Sequence, residues 1–175
     1  MKVALTGGIA CGKSLLSRYL NELGVETLDA DDVVHELIPT EERRRLAPIV
    51  FADPAARRAL EARIHPLVKA RLDAFLDGSD GDRPRLVTVP LLFEVHWDAN
   101  FDIICCVASG RPLQVERMMA TRGYSREEAE ARLAAQMPVE EKAGKSHYVI
   151  RNEGTAEDLR KSAVEFVGWL KGRLR

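Results

Sequence analysis

The sequence is short of several things that would have assigned it to a class at once. Only three of its 175 residues are cysteine, Cys11, Cys105 and Cys106. The count is odd and two are adjacent, which argues against a disulfide framework, and no Cys/His spacing suggests zinc. No apolar run approaches the ~20 residues that span a bilayer, and no apolar stretch of signal length follows Met1. A reduced, cytoplasmic protein is expected. Charge of one sign is also missing: 26 basic residues face 27 acidic ones, for a net charge of −1. That balance leaves no electrostatic footprint for nucleic acid or an anionic membrane. Neither is expected as a partner, and a monomer or weak homo-oligomer is.

What is present is a length suited to one domain over residues 1–175 and an ordinary, 46% hydrophobic composition. Short apolar runs alternate with helical patterns. Val3–Leu5, Val25–Leu28, Leu86–Val89, Phe101–Val107 and Tyr148–Ile150 read as strands. Leu16, Leu20 and Leu23 share one face of a helix from Lys13 that Gly24 stops. A helix over Asp32–Leu37 ends at Pro39, and Glu41–Phe51 is a second helical stretch. Leu60, Ile64, Val68 and Leu72 stripe a third, Pro54–Phe75, which Pro66 is expected to kink or split. Asp77–Pro84 reads as a loop. Helices follow at Pro112–Thr121, at Ser125–Gln136 with Ser125 and Glu128 spaced as a capping box, and at Ala156–Lys171. Alternating strands and helices predict a parallel sheet covered on both faces, with ligands outside the carboxyl ends of its strands.

One such end carries the strongest motif. Gly7-Gly8-Ile9-Ala10-Cys11-Gly12-Lys13-Ser14 satisfies G-x-x-x-x-G-K-[ST] without a mismatch, between a predicted strand and a predicted helix. Its glycines let successive N–H groups converge on phosphate oxygens. The helix that follows offers its positive end. Lys13 neutralises the β- and γ-phosphates, and Ser14 offers a hydroxyl to Mg²⁺. A nucleoside triphosphate, ATP first, is the expected ligand. The strings DxxG and NKxD of a GTP-dependent switch are absent.

Asp29 and Asp31 follow the second strand, beside that loop. A kinase that phosphorylates an alcohol needs a carboxylate to take or orient the hydroxyl proton. Either aspartate could instead be a helix cap. Arg117, Arg122, Arg126 and Arg132 lie on two consecutive helical segments that could close over a triphosphate as a lid. Three readings stay open on the residues alone: a kinase of a ribose or other alcohol, a kinase of a sugar or nucleoside, and a nucleotide-binding regulator without turnover.

In combination these segments resemble the dephospho-coenzyme A kinase family over nearly the whole chain. The similar stretches are ALTGGIACGKS, LGVETLDADDV, RRRLAPIVFADPAARRALEARIHPLV, VPLLFE, SREEAEARLAAQMP and YVIRNEG. The resemblance implies an α/β, three-layer fold of P-loop nucleoside triphosphate hydrolase type. It implies a five-stranded parallel sheet, a helical acceptor region near residues 32–80 and a helical lid near 110–145. It also implies ATP-dependent phosphorylation of the ribose 3′-hydroxyl of dephospho-coenzyme A, with Mg²⁺. On this reading Asp31 is the base, and Lys13 and Arg132 stabilise the transferring phosphoryl group. The nucleotide lies on Gly7 to Leu15, including Ile9, Ala10 and Cys11, with Asn152 and Gly154 near adenine. Asp29, Arg43, His65, Pro90, Leu91, Leu92 and Glu94 face the acceptor, and Thr88 reaches the metal through water.

The chain departs from the family pattern in four places. Thr88 stands where an Asp is usual. Several helical turns shrink to Ile38–Glu42. Thr121, with Arg122 one place later, stands where a lid Arg is expected, and His147 and Arg151 replace acidic residues before the adenine loop.

Overall fold

In a computed structural model, which describes residues 1–78 and 83–173, β1 (Val3–Gly7) lies at the centre of a five-stranded sheet. Every residue of β1 is buried, as a run with apolar side chains on both faces requires. The strand order is β2-β3-β1-β4-β5 and all pairs are parallel, with β2 at Glu26–Asp29, β3 at Arg85–Thr88, β4 at Ile103–Ala108 and β5 at Tyr148–Arg151. The chain runs from β1 out to one edge, then crosses back over β1 to build the other half. That reversal places a crevice at the carboxyl end of β1.

Alternation along the strands feeds two cores. Val3 and Leu5 of β1, with Cys105 and Val107 of β4, face α1 (Lys13–Glu22) and the last helix, α8 (Ala156–Lys171). Leu16, Leu20, Leu159, Phe166 and Leu170 fill that layer. On the other face Ala4, Val87 and Ile104 meet Val33 of α2 (Ala30–Leu37) and Val68, Leu72 and Leu76 of α4 (Pro54–Asp77). Each fully buried Leu or Phe contributes about 1.5–3 kcal/mol of transfer free energy.

Pro66 does not divide α4, which runs unbroken from Pro54 to Asp77. A proline removes one N–H from the helical ladder. Here Val68, Leu72 and Leu76, all buried on the C-terminal side, hold the helix against the sheet and compensate. The loop expected at Asp77–Pro84 falls in part on residues 79–82, outside the described residues. Between α2 and α4 lies α3 (Thr40–Ala52), which packs on α4 and has no buried residue among its described side chains.

After β4 come α5 (Arg111–Arg122), α6 (Arg126–Ala134) and α7 (Val139–Gly144). The capping box at Ser125 and Glu128 forms as expected. Helix α6 buries only Ala129 fully; with Val115 and Met118 of α5 it makes a small third cluster, onto which Ile9, Ala10, Tyr124 and Leu133 pack. So few buried contacts mean that this part of the fold opens at little cost. No helix among the described residues is long and apolar enough to cross a membrane.

Candidate active site

The turn from β1 into α1 requires glycine at two points. Gly7 has φ 145°, and a Cβ there would run into the Val107 carbonyl of the neighbouring strand. Gly12 has φ 95°, and a Cβ would strike the Asn152 amide. Ala10 also adopts a positive φ, 56°, which a residue with a Cβ rarely does. Helix α1 then starts with no side-chain cap and no acid in its first turn. Its free N–H groups and dipole are left for an anion.

The loop's carbonyls are tied down. Gln114 Nε2 donates to Ile9 O at 2.7 Å, and Asn152 Nδ2 to Cys11 O at 2.9 Å. Arg117 Nη1 donates to Ala10 O at 3.3 Å and to Ser109 Oγ at 3.0 Å, and that hydroxyl donates to Asn152 O at 2.7 Å. Such a network holds the loop in shape before any ligand arrives. Lys13 folds back, donating its Nζ to Gly7 O at 3.0 Å and Gly8 O at 2.8 Å. Burial lowers its pKa, with the Lys142 ammonium adding to the effect. Cys11 is fully buried, and burial pushes its thiol up, which leaves it a poor nucleophile.

Above the loop lies a cavity of about 640 Å³. Of the nucleotide-site residues expected from sequence it collects Ile9, Ala10, Gly12, Lys13, Ser14, Leu15, Asn152 and Gly154; Gly7, Gly8 and Cys11 form the loop behind it. Asp29, Asp31, Pro90 and Arg132 line the same cavity, as do Arg117, Thr121, Arg122, Gln136, Thr155 and Ala156. Four basic side chains, Lys13, Arg117, Arg122 and Arg132, therefore surround a space with two acidic ones. That imbalance suits a polyanion carrying a metal ion.

The two aspartates differ. Asp29 is the N-cap of α2 and accepts the Asp31 N–H at 2.9 Å. Burial raises its pKa against that hydrogen bond, and the charges of Asp31 and Asp32 raise it further. Asp31, in the first turn of the helix, is exposed, and among the described residues no side chain bonds its carboxylate. Arg132 pairs with no carboxylate among the described residues; its guanidinium lies 4.3 Å from the centroid of the Tyr124 ring.

The remaining expectations fall elsewhere. Arg43 and His65 line a second cavity, about 380 Å³, between α2, α3 and α4. Its walls are Val34, Ile38, Leu46, Ala47, Val50, Leu60 and Ile64, with Arg57 and Glu61 beside them. Arg43 donates to Thr40 Oγ1 at 3.1 Å, while its Nε is buried with no partner among the described residues. The His65 ring meets Trp97 edge-on at 5.4 Å. Leu92 is fully buried in the core beneath α2 and α4, and Leu91 is exposed; neither lines a described cavity. Glu94 turns instead toward the segment that joins α6 to α7, where its Oε1 pairs with Lys142 Nζ at 2.7 Å and accepts Met137 N–H at 3.1 Å. Thr88 is buried at the end of β3, its hydroxyl 3.2 Å from that of Ser17. His147 extends the β4–β5 pairing, bonding both the N–H and the carbonyl of Ile104, and Arg151 is engaged by both oxygens of Glu140.

Comparison with known proteins decides among the readings. The sequence model of the dephospho-CoA kinase family matches residues 1–42 and 39–158. The chain belongs to the dephospho-CoA kinase family. A dephospho-CoA kinase of Geobacter sulfurreducens is 38% identical over 193 aligned positions, covering 97% of each chain. That of Symbiobacterium thermophilum is 39% identical over 182 positions, covering 90% of this chain and 76% of the relative. The solved dephospho-CoA kinase from Campylobacter jejuni superposes with a TM-score of 0.75 at 27% identity, over 99% of this chain and 100% of that one. The family's P-loop kinase fold, a parallel sheet under flanking helices, is the one described above.

Sequence reasoning missed Gln136, Thr155 and Ala156 as cavity residues and Lys142 altogether. Thr155 was findable: it stands three residues before Asp158, and the two form the capping box that starts α8 beside the cavity. A lysine in a Glu-Glu-Lys-Ala run gives no sign that it is buried.

Proposed function

We propose that this protein phosphorylates the ribose 3′-hydroxyl of dephospho-coenzyme A with ATP, giving coenzyme A. One observation carries the reading: an exposed, uncommitted carboxylate, Asp31, shares a cavity with the phosphate loop, Lys13 and Arg132. Family membership supplies the acceptor.

In this reading the triphosphate lies on Gly7–Leu15 and the open start of α1, with the base near Asn152 and Gly154. On binding, Lys13 exchanges its two loop carbonyls for β- and γ-phosphate oxygens. Asp31 orients the hydroxyl and takes its proton as the γ-phosphoryl group passes in line to it. Lys13, Arg132, Arg117 and Arg122 balance the charge that spreads over the transferring group. Mg²⁺ fits the donor set. Ser14 is exposed beside Lys13 with two carboxylates in reach of the same space, and no cluster of three metal-ligating residues occurs among the described residues. Oxygen ligands few in number suit an ion that arrives with phosphates and keeps its waters. Bound there, it would neutralise phosphate charge, with Ser14 as direct ligand and Asp29 or Thr88 acting through water.

The helices α2–α4 form the acceptor region and α5–α7 the lid. The apolar second cavity begins at Val34, about one turn along α2 from Asp31, and at Ile38, just past the end of that helix. It fits the extended amide arm of the acceptor, with the unpartnered Arg43 Nε offered to a carbonyl or phosphate oxygen. The region is short. The two stretches matched to the family overlap at residues 39–42, and the alignment to the Geobacter relative is longer than this whole chain. Both facts support a segment missing at the start of α3.

The test is product analysis with MgATP and dephospho-coenzyme A. Phosphate on the 3′-oxygen is expected. Phosphate on a sugar or nucleoside and none on this acceptor would overturn the reading.

A further inference from the structure

Lys142 is among the largest fully buried side chains of the described residues, and the chemistry above makes no use of it. It projects from α7, which packs on β1 and β4. Its Nζ donates to Pro90 O at 2.8 Å and to Glu94 Oε1 at 2.7 Å. Each acceptor has a second donor. Glu94 Oε1 also takes the Met137 N–H at 3.1 Å, and Pro90 O also takes the Thr6 hydroxyl at 3.3 Å. Four segments therefore meet at one ammonium: the end of β1 that leads into the phosphate loop, the turn after β3, the exit of the lid and α7. Two of them touch the main cavity, through Pro90 and through Gln136, which directly precedes Met137.

We propose that Lys142 is a positioning residue for phosphoryl transfer. Through Pro90 and Glu94 it sets the cavity wall and the hinge of the lid helix that carries Arg132 relative to the phosphate loop. The inference rests on the reading of the protein as a kinase. Its physical basis is that the pair is poorly built for stability alone. Taking an ammonium and a carboxylate out of water is costly, and well-packed apolar side chains commonly do as well or better in such places. Glu94 Oε2 is moreover buried with no partner among the described residues, a defect that a purely structural pair would be expected to repair. What the pair supplies is direction: two donors on Lys142, aimed at two acceptors that also hold the lid's exit and the end of β1. A merely structural lysine would fix none of that geometry.

The test uses the full chain carrying Lys142→Met, and the double variant Lys142→Met/Glu94→Gln, which leaves no unpaired charge in the interior. Hydrogen exchange at the Met137 amide reports the anchor directly, and steady-state kinetics report its effect. In Lys142→Met, Met137 exchange rises by about tenfold or more as the local hinge opens. The kcat falls about 10–100-fold, the cost of misplacing reacting groups by an ångström or less, while the KM for ATP stays within about threefold because the phosphate loop keeps its hydrogen bonds from Gln114, Asn152 and Arg117. The double variant keeps the low kcat although its charge balance is restored. It carries the test by itself should the single variant not fold. A folded double variant with wild-type kcat would show that Lys142 only neutralises Glu94, and would overturn the proposal. If the wild-type protein fails to phosphorylate the acceptor, the function reading falls but the exchange experiment still decides: unchanged Met137 protection in Lys142→Met sinks the anchor.

Discussion

The side chain of Asp29 accepts the backbone N–H of Asp31 at 2.9 Å, so one of the two carboxylates beside the phosphate loop starts a helix and the other is left free. A carboxylate that caps α2 cannot swing toward a substrate hydroxyl without uncapping the helix, which costs about 1 kcal/mol. Asp31 has no such commitment. This relationship divides the roles of two residues that stand two apart in the sequence.

Asp31→Asn should therefore abolish most turnover and leave nucleotide binding alone. Loss of a general base lowers kcat about 10²–10⁴-fold. The stabilisation by MgATP should persist, about 2.7 kcal/mol at a hundred times Kd. Thermal melts with and without MgATP, run beside the acceptor assay, check both halves. Turnover within threefold of wild type would remove Asp31 as the base.

Asp29→Asn should act in the opposite way on stability. Asp29 has its pKa raised in the folded state, chiefly by burial. The folded protein therefore holds this proton more tightly than the unfolded chain does. Stability is lost as pH rises from the ordinary aspartate range through the raised value. Asparagine also caps helices but carries no charge to bury. The variant should melt higher than wild type at pH 7 without ligand, and the gain should vanish as pH falls below the ordinary aspartate range. A gain that is constant with pH would show that the charge is not its source.

Much of this was legible in the residues, for reasons that can be named. The phosphate loop was, because Gly7 and Gly12 sit where no other residue fits and Lys13 and Ser14 follow at fixed spacing. The strands were, because a parallel sheet buried on both faces demands uninterrupted apolar runs such as Ile103–Ala108. Helix α7 was not: six residues are too few to show a period, and its buried Lys142 looks like surface from its neighbours. Pro66 pointed to a kink or a split, and tertiary packing overrode the split. The placement of Glu94 was hidden as well. Its motif position suggested a ligand contact, whereas its partners, Lys142 and Met137, lie more than forty residues away along the chain.

Thr88→Asp should trade stability for metal affinity. Thr88 is 1% exposed, shares a hydrogen bond with Ser17 and pairs in register with Asp29. A carboxylate there is a buried negative charge beside the half-buried one of Asp29. In the absence of metal the variant should melt lower, by about 1–3 kcal/mol of stability, the usual cost of a polar group left unpaired. With ATP, half-maximal turnover should need less Mg²⁺. A magnesium titration of turnover, paired with melts in chelator, measures the two terms. If metal demand is unchanged while stability falls, Thr88 lies outside the reach of the metal's water shell.

Tyr124 decides where Arg132 waits. The guanidinium lies 4.3 Å from the ring centroid and pairs with no carboxylate among the described residues, although Glu127, Glu128 and Glu130 share its helix. Tyr124 in turn packs into the small cluster that includes Ile9 and Ala10 of the phosphate loop. The ring therefore parks the arginine beside the phosphate loop. A cation over an aromatic face at an exposed site is worth about 0.5–1 kcal/mol, or roughly a two- to fivefold bias in population. Tyr124→Leu keeps the apolar contact and loses the quadrupole, so kcat/KM for ATP should fall about two- to fivefold. Tyr124→Phe keeps both and should match wild type. A rise in kcat/KM for Tyr124→Leu would mean that the ring holds Arg132 back from the phosphate instead of presenting it. A loss shared equally by the Leu and Phe variants would move the effect to the phenol hydroxyl.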